Sequence, residues 1–210
     1  MRIGIIGAGN VGGALGKEWA AKSHQVAFGV RSPNDAKVQT LATATGNLAR
    51  VVNVKDAVAE AEVVVLATPW IAAESALKEA GDLRGKVVVD TTNPLKADLS
   101  GLVLGHLTSA GEQVAGWAPG AKVVKAFNTI GAVHMADPRF GTRRASMFLC
   151  GDDTGAKAMV AQLAGDLGFE PVDCGPLTQA RLLEPLAMLW ISMAYAYGAG
   201  PNIGFALLRK

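Results

Sequence analysis

Gly7-Ala8-Gly9-Asn10-Val11-Gly12 spells GxGxxG close to the start of the chain. At that spacing three glycines can hold the pyrophosphate of a dinucleotide, provided they join a strand to a helix. The first permits the tight turn, the second lets the phosphates approach the backbone, and the third lets the helix pack on the strand. Free N–H groups and the helix dipole at the helix start then face the negative charge. The pattern alone is weak, because 25 of the 210 residues are glycine. Its context is stronger. The apolar run Arg2–Ile6 precedes it, and Val11, Leu15 and Trp19 follow at spacings of four, on one helix face. The competing reading is a bare structural strand–turn–helix.

A second group with chemical meaning follows the apolar run Gln25–Val30. About twenty residues after the glycines, sites for NAD keep an Asp or Glu that accepts from the ribose hydroxyls. Here the chain reads Arg31-Ser32, with Lys37 shortly after. A guanidinium fork and a hydroxyl suit a 2′-phosphate, so these residues predict NADP(H) over NAD(H). Asp35 comes too late to bind the ribose and is expected to cap the next helix. The competing reading makes Arg31 a solvated loop charge.

Three further segments follow predicted strand ends, where open parallel sheets bind ligands. They are Ala67-Thr68-Pro69-Trp70, Thr91-Thr92-Asn93-Pro94-Leu95 and Lys125-Ala126-Phe127-Asn128-Thr129-Ile130. Asn93, Asn128 and Thr129 offer hydrogen bonds to a carboxamide or a second ring. Trp70, Phe127 and Ile130 are expected to form an apolar wall for a planar ring. No catalytic His/Asp or Ser/Lys set stands out, which suits hydride transfer between two rings, where positioning and water exclusion dominate. His134 is a weak candidate proton donor. His24, His106, Trp117 and Trp190 read as structural, exposed or interface residues. Arg143-Arg144 reads as a solvated strand edge or an attractor for an acidic coenzyme tail. No metal ligand set is expected, since Cys150 and Cys174 stand far apart.

The elements that must position these residues alternate between short β-branched runs and longer helical patterns. Strands are expected at Arg2–Ile6, Gln25–Val30, Val51–Val54, Val63–Ala67, Lys86–Asp90, Lys122–Ala126, Ser146–Cys150 and Pro171–Cys174. Helices are expected near Val11–Lys22, Asp35–Thr45, Ala72–Ala80, Thr108–Ala115 and Thr154–Leu167. This is an α/β pattern: a doubly wound, mostly parallel Rossmann sheet. Residues 1–177 form the nucleotide-binding domain. Residues 178–210 read as a long apolar helix, broken at Gly198-Ala199-Gly200-Pro201, followed by a short amphipathic tail. This short C-terminal helical arm must pack on the domain or on a second copy, and its apolar length predicts a homodimer. Half the residues are hydrophobic, 18% are charged and the net charge is +2, which gives no argument for a nucleic-acid or membrane partner. With no targeting segment recognised, the expected location is cytoplasmic.

VVKAFNTIGA, ATPW, DTTNPL and the terminal QARLLEPLAMLWISMAYAYG carry a resemblance to the coenzyme F-420-dependent NADP oxidoreductases, over essentially the whole chain. The cytosolic domain of the membrane metalloreductases is similar. KAFNT is the most specific element. The resemblance implies hydride transfer between NADP(H) and a small-molecule redox acceptor, a deazaflavin (coenzyme F-420) or a flavin. By position, Gly7–Gly12 would hold the pyrophosphate, and Arg31 with Ser32 the 2′-phosphate. Thr68, Pro69, Asn93 and Pro94 would line the path to the nicotinamide, which Ala126–Ile130 would border. Two alternatives stay open: a pyrroline-5-carboxylate reductase or β-hydroxyacid dehydrogenase, which needs a larger helical domain, and an NADPH-binding sensor without turnover.

Overall fold

The structure is a computed structural model that describes residues 1–45 and 48–210. The chain runs β1 (Arg2–Ile6), α1 (Asn10–Ala21), β2 (Gln25–Gly29), α2 (Ala36–Thr43), β3 (Ala49–Val52), α3 (Val54–Ala59), β4 (Val63–Leu66), α4 (Trp70–Ala80) and β5 (Val87–Asp90). It continues through α5 (Ala110–Trp117), β6 (Lys122–Lys125), a hairpin of β7 (Arg139–Phe140) and β8 (Arg143–Arg144), β9 (Ser146–Gly151), α6 (Thr154–Asp166), β10 (Glu170–Asp173) and α7 (Ala180–Ile191).

Eight strands make one sheet in the order β3-β2-β1-β4-β5-β6-β9-β10. β9 runs antiparallel to β6, β10 runs parallel to β9, and every other pairing is parallel. The chain therefore winds outward from β1 through β3, crosses back, and winds the other way from β4. The switch lies between β1 and β4, so a crevice opens beyond their carboxyl ends.

The strand sequences explain why both faces are covered. In β1, Ile3 and Ile5 point into one buried layer with Leu15, Trp19 and Phe28, while Ile6 points into the other with Val64 and Leu66. In β4, Val63 and Val65 alternate with Val64 and Leu66 in the same way. An unbroken apolar run is what a strand with helices on both sides requires.

Most expected elements are present, with ends that differ by a residue or two. β3 ends at Val52, and Val54 instead begins α3, an unexpected helix. Asn53 caps it by accepting from the Asp56 amide at 2.8 Å, and this capping chemistry outweighs the β-branched propensity of the segment. The C-terminal arm also differs. α7 passes into a π-helical turn at Ser192–Ala196, and the tail beyond it is irregular. The tail is held through its backbone carbonyls: the Ser146 amide donates to the Phe205 carbonyl at 2.9 Å and the Trp190 indole to the Ile203 carbonyl at 2.8 Å.

Candidate functional site

β1 delivers the chain into the turn at Gly7, whose φ of +102° is left-handed and whose amide donates to the Gly29 carbonyl at 3.0 Å. Any Cβ there would lie 2.6 Å from the Ala67 carbonyl oxygen. A Cβ on Gly12 would collide with the Gly7 carbonyl itself, so α1 can sit this close to β1 only without one. Gly9, by contrast, has open space over it, and among the described residues no side chain caps the α1 N-terminus. The first-turn amides of α1 are left to an external acceptor.

Two cavities meet over this turn, sharing Gly9, Ala67, Thr68 and Pro69. The first, about 380 Å³, extends toward Gly29, Arg31, Ser32 and Asp35. The second, about 770 Å³, is bordered by Asn10, Val11, Trp70, Asn93, Leu95 and Lys96. At their junction the Thr68 hydroxyl is buried without a hydrogen-bond partner among the described residues. An open approach over Gly9, an uncapped helix start and an orphaned hydroxyl beside them fit an elongated, doubly phosphorylated ligand lying across both cavities.

The expected site residues divide into three groups. Gly7, Gly9, Asn10, Val11, Arg31, Ser32, Thr68, Pro69, Trp70 and Asn93 line the two cavities. Lys37 is exposed but borders neither; its amide donates to the Asp35 carboxylate at 2.8 Å, which is the helix cap expected of Asp35. Ala8 packs against the core, and Gly12 and Pro94 are buried.

Ala126–Ile130 form the third group and are all buried, bordering neither cavity. Phe127 is 1% exposed and meets Trp19 and Phe169 edge-on, so the expected ring wall of Trp70 with Phe127 does not form. Trp70 stacks instead on Trp117, with centroids 5.1 Å apart and planes at 29°. Phe127 has φ +63°, a bend that turns its ring inward and sends Asn128 toward Asn93. The two amides then bond reciprocally. Asn93 Nδ2 donates to the Asn128 carbonyl and Asn128 Nδ2 to Asn93 Oδ1, both at 3.0 Å, which leaves Asn128 Oδ1 buried and unpartnered. His134 borders neither cavity and bonds the Pro201 carbonyl at 2.9 Å. His24 bonds Asp166 at 3.0 Å, and His106, Arg143 and Arg144 are exposed. Among the described residues, no cluster of His, Cys, Asp and Glu is placed to hold a metal ion.

Beneath these loops lies a fully buried charge cluster that the sequence reading passed over. Lys125 Nζ lies 2.8 Å from Asp90 Oδ2 and 2.9 Å from Glu184 Oε1, and it also donates to the Thr92 carbonyl. Asp90 accepts from the Thr92 amide and hydroxyl, while Glu184 accepts from the amides of Ala110 and Gly111 at the start of α5. Burial pulls the Lys125 ammonium down, but the two carboxylates outweigh it and hold it above its usual value. Close by, burial pushes the Cys150 thiol up to about 12, so it is no nucleophile at neutral pH. The signal for the cluster was a charge ending each of three apolar runs, VVVD, KVVK and RLLE.

Residues 2–94 match the family described as NADP oxidoreductase, coenzyme F-420-dependent. The solved structure of a putative F-420-dependent NADP-reductase from Arthrobacter sp. FB24 superposes over 100% of both chains with a TM-score of 0.91 and 35% identity. The F-420-dependent NADP reductase of Methanocaldococcus jannaschii is 28% identical over 94% of each chain. Metalloreductase STEAP3 of Rattus norvegicus is 34% identical over 90% of this chain, which spans only 37% of that protein.

Proposed function

Because the chain belongs to the coenzyme F-420-dependent NADP oxidoreductase family and is an NADP-dependent oxidoreductase, we propose that it moves hydride between NADP(H) and a deazaflavin or flavin acceptor. The observation that carries this reading is the pair of joined cavities. One has the size and polarity for the adenosine half of the nucleotide. The other is about twice as large and mostly apolar, which is more room than a nicotinamide ring needs and suits a second ring against it.

In this reading the α1 amides and Gly9 take the pyrophosphate, and Arg31 and Ser32 take the 2′-phosphate. Thr68 supplies a hydroxyl at the bend. Bound NADPH supplies a hydride equivalent from its nicotinamide ring. The chain's own work is to orient two planar rings and keep water from between them, for which Pro69, Trp70 and Leu95 provide apolar surface. The Asn93–Asn128 pair fixes the loop on which the reacting ring would rest. No side-chain acid is needed, and the Pro201 contact of His134 argues against its acting as one.

The test follows NADPH absorbance at 340 nm while coenzyme F-420, FMN, a ferric chelate or pyrroline-5-carboxylate is added. Oxidation with the deazaflavin or FMN is expected. Oxidation with the imino acid alone would replace the reading, and no oxidation with any acceptor would leave a nucleotide sensor.

The same reading extends to assembly. Leu182, Leu189 and Met193 are exposed along one side of α7 and the turn that follows it, with Tyr195 and Tyr197 beyond. Such a row marks a partner surface, and a second copy of this chain is the proposed occupant. Light scattering is expected to give twice the 21.6 kDa chain mass, and a monomer at micromolar concentration would refute it. Among the described residues, no helix is long and apolar enough to cross a membrane.

A further inference from the structure

The larger cavity has a charge pattern that bears on which acceptors it takes. Its walls are mainly apolar: Trp70, Ile71, Leu95, Leu99 and Val103. Ile71 is 96% exposed, and Leu99 and Val103 are about half exposed, so this apolar surface stands open at the mouth. One charged residue borders it, Lys96. Lys96 is exposed, and among the described residues its ammonium makes no ion pair and no hydrogen bond.

The loop that carries Lys96 is held by its own backbone. The Lys96 amide donates to the Gly101 carbonyl at 2.9 Å, the Val103 amide to the Pro94 carbonyl at 2.7 Å, and Leu95 bridges to Leu102. The ammonium lies over Gly101, where a side chain would meet it. Asp98, on the same loop, turns its carboxylate to the Ser100 amide at 3.0 Å. Arg143 and Arg144, the basic pair that could also attract an acidic tail, border neither cavity.

A mainly apolar cavity with one unpaired lysine at its rim is complementary to a ring system that carries an anionic tail. We infer that Lys96 selects the acceptor by pairing with the phosphate or carboxylate of that tail, so that the site discriminates tailed acceptors from neutral rings of the same shape. This rests on the proposed function and adds a specificity-determining residue to it.

The experiment measures kcat/KM with NADPH for matched acceptors: FMN against riboflavin, and coenzyme F-420 against the same deazaflavin without its acidic tail. The tailed member of a pair is expected to be preferred by about tenfold, the worth of one hydrogen-bonded charge contact. Lys96→Ala should bring that ratio close to one, Lys96→Glu should invert it, and Lys96→Arg should keep it. In the unsubstituted protein the ratio should also fall as salt is added. A ratio of one in the unsubstituted protein, or a ratio unchanged in Lys96→Ala, overturns the inference while the proposed function stands. If no ring acceptor is reduced although NADPH binds, the function reading fails and takes this inference with it.

Discussion

Arg31→Ala is expected to weaken NADPH binding by about tenfold to a hundredfold while leaving NADH binding nearly as it was. A hydrogen bond to a charged group contributes about 1.5–3 kcal/mol, and a guanidinium on a phosphate can make two. Arg31 stands exposed at the end of β2 and borders the smaller cavity beside Ser32. Its removal strips one positive charge from that rim without opening a hole in the core, so folding should be unaffected. Asp35 borders the same cavity and opposes Arg31 there, but its carboxylate is engaged as the α2 cap. The measurement is a pair of dissociation constants for each nucleotide, before and after substitution. Equal constants for NADPH and NADH in the unsubstituted protein would remove Arg31 and Ser32 from the role proposed for them.

Lys125→Met should produce the largest loss of stability. Lys125 is wholly buried, and its removal would leave the carboxylates of Asp90 and Glu184 facing one another without a counter-charge. Breaking a buried pair in this way costs about 3–5 kcal/mol, a large fraction of the stability of a domain this size. Glu184→Gln should cost less, because Asp90 still neutralises the ammonium and an amide oxygen can still accept from α5. Thermal unfolding would rank the two. A Lys125→Met protein no less stable than Glu184→Gln would contradict the account. The pH dependence has a definite sign. The folded-state ammonium titrates above its ordinary value of 10.5, so its contribution is complete through neutral pH and is lost only as pH rises through the raised value.

How much of this was legible in the sequence depends on whether a residue acts locally or through a distant partner. The glycine turn was legible because its requirements are set within a few residues: the bend at Gly7 and the close packing at Gly12 follow from the glycine spacing together with the apolar strand before it and the helical face after it. The apolar strands were legible because a sheet covered on both faces needs no polar alternation. Phe127 was misplaced because an aromatic beside two polar residues reads equally well as a wall or as core. Only its positive φ and the partners Trp19 and Phe169, far off in sequence, decide between them. The Asp90–Lys125–Glu184 cluster was missed for a related reason. Asp90 and Lys125 look like ordinary strand ends and Glu184 like one charge inside an apolar helix, and the cluster exists only because β5, β6 and α7 bring the three together. The helix at Val54–Ala59 was missed because its six residues are too few to show a period.

The stacking of Trp70 on Trp117 has a consequence beyond packing. Of the chain's four tryptophans, Trp19 and Trp190 are sealed in the interior, while Trp70 borders the larger cavity and is held against a second indole. Two indoles in such contact couple their electronic transitions, and one of them belongs to the cavity wall. The protein therefore carries a built-in optical reporter: circular dichroism and emission from this pair will register whatever ring enters the cavity, with no added label.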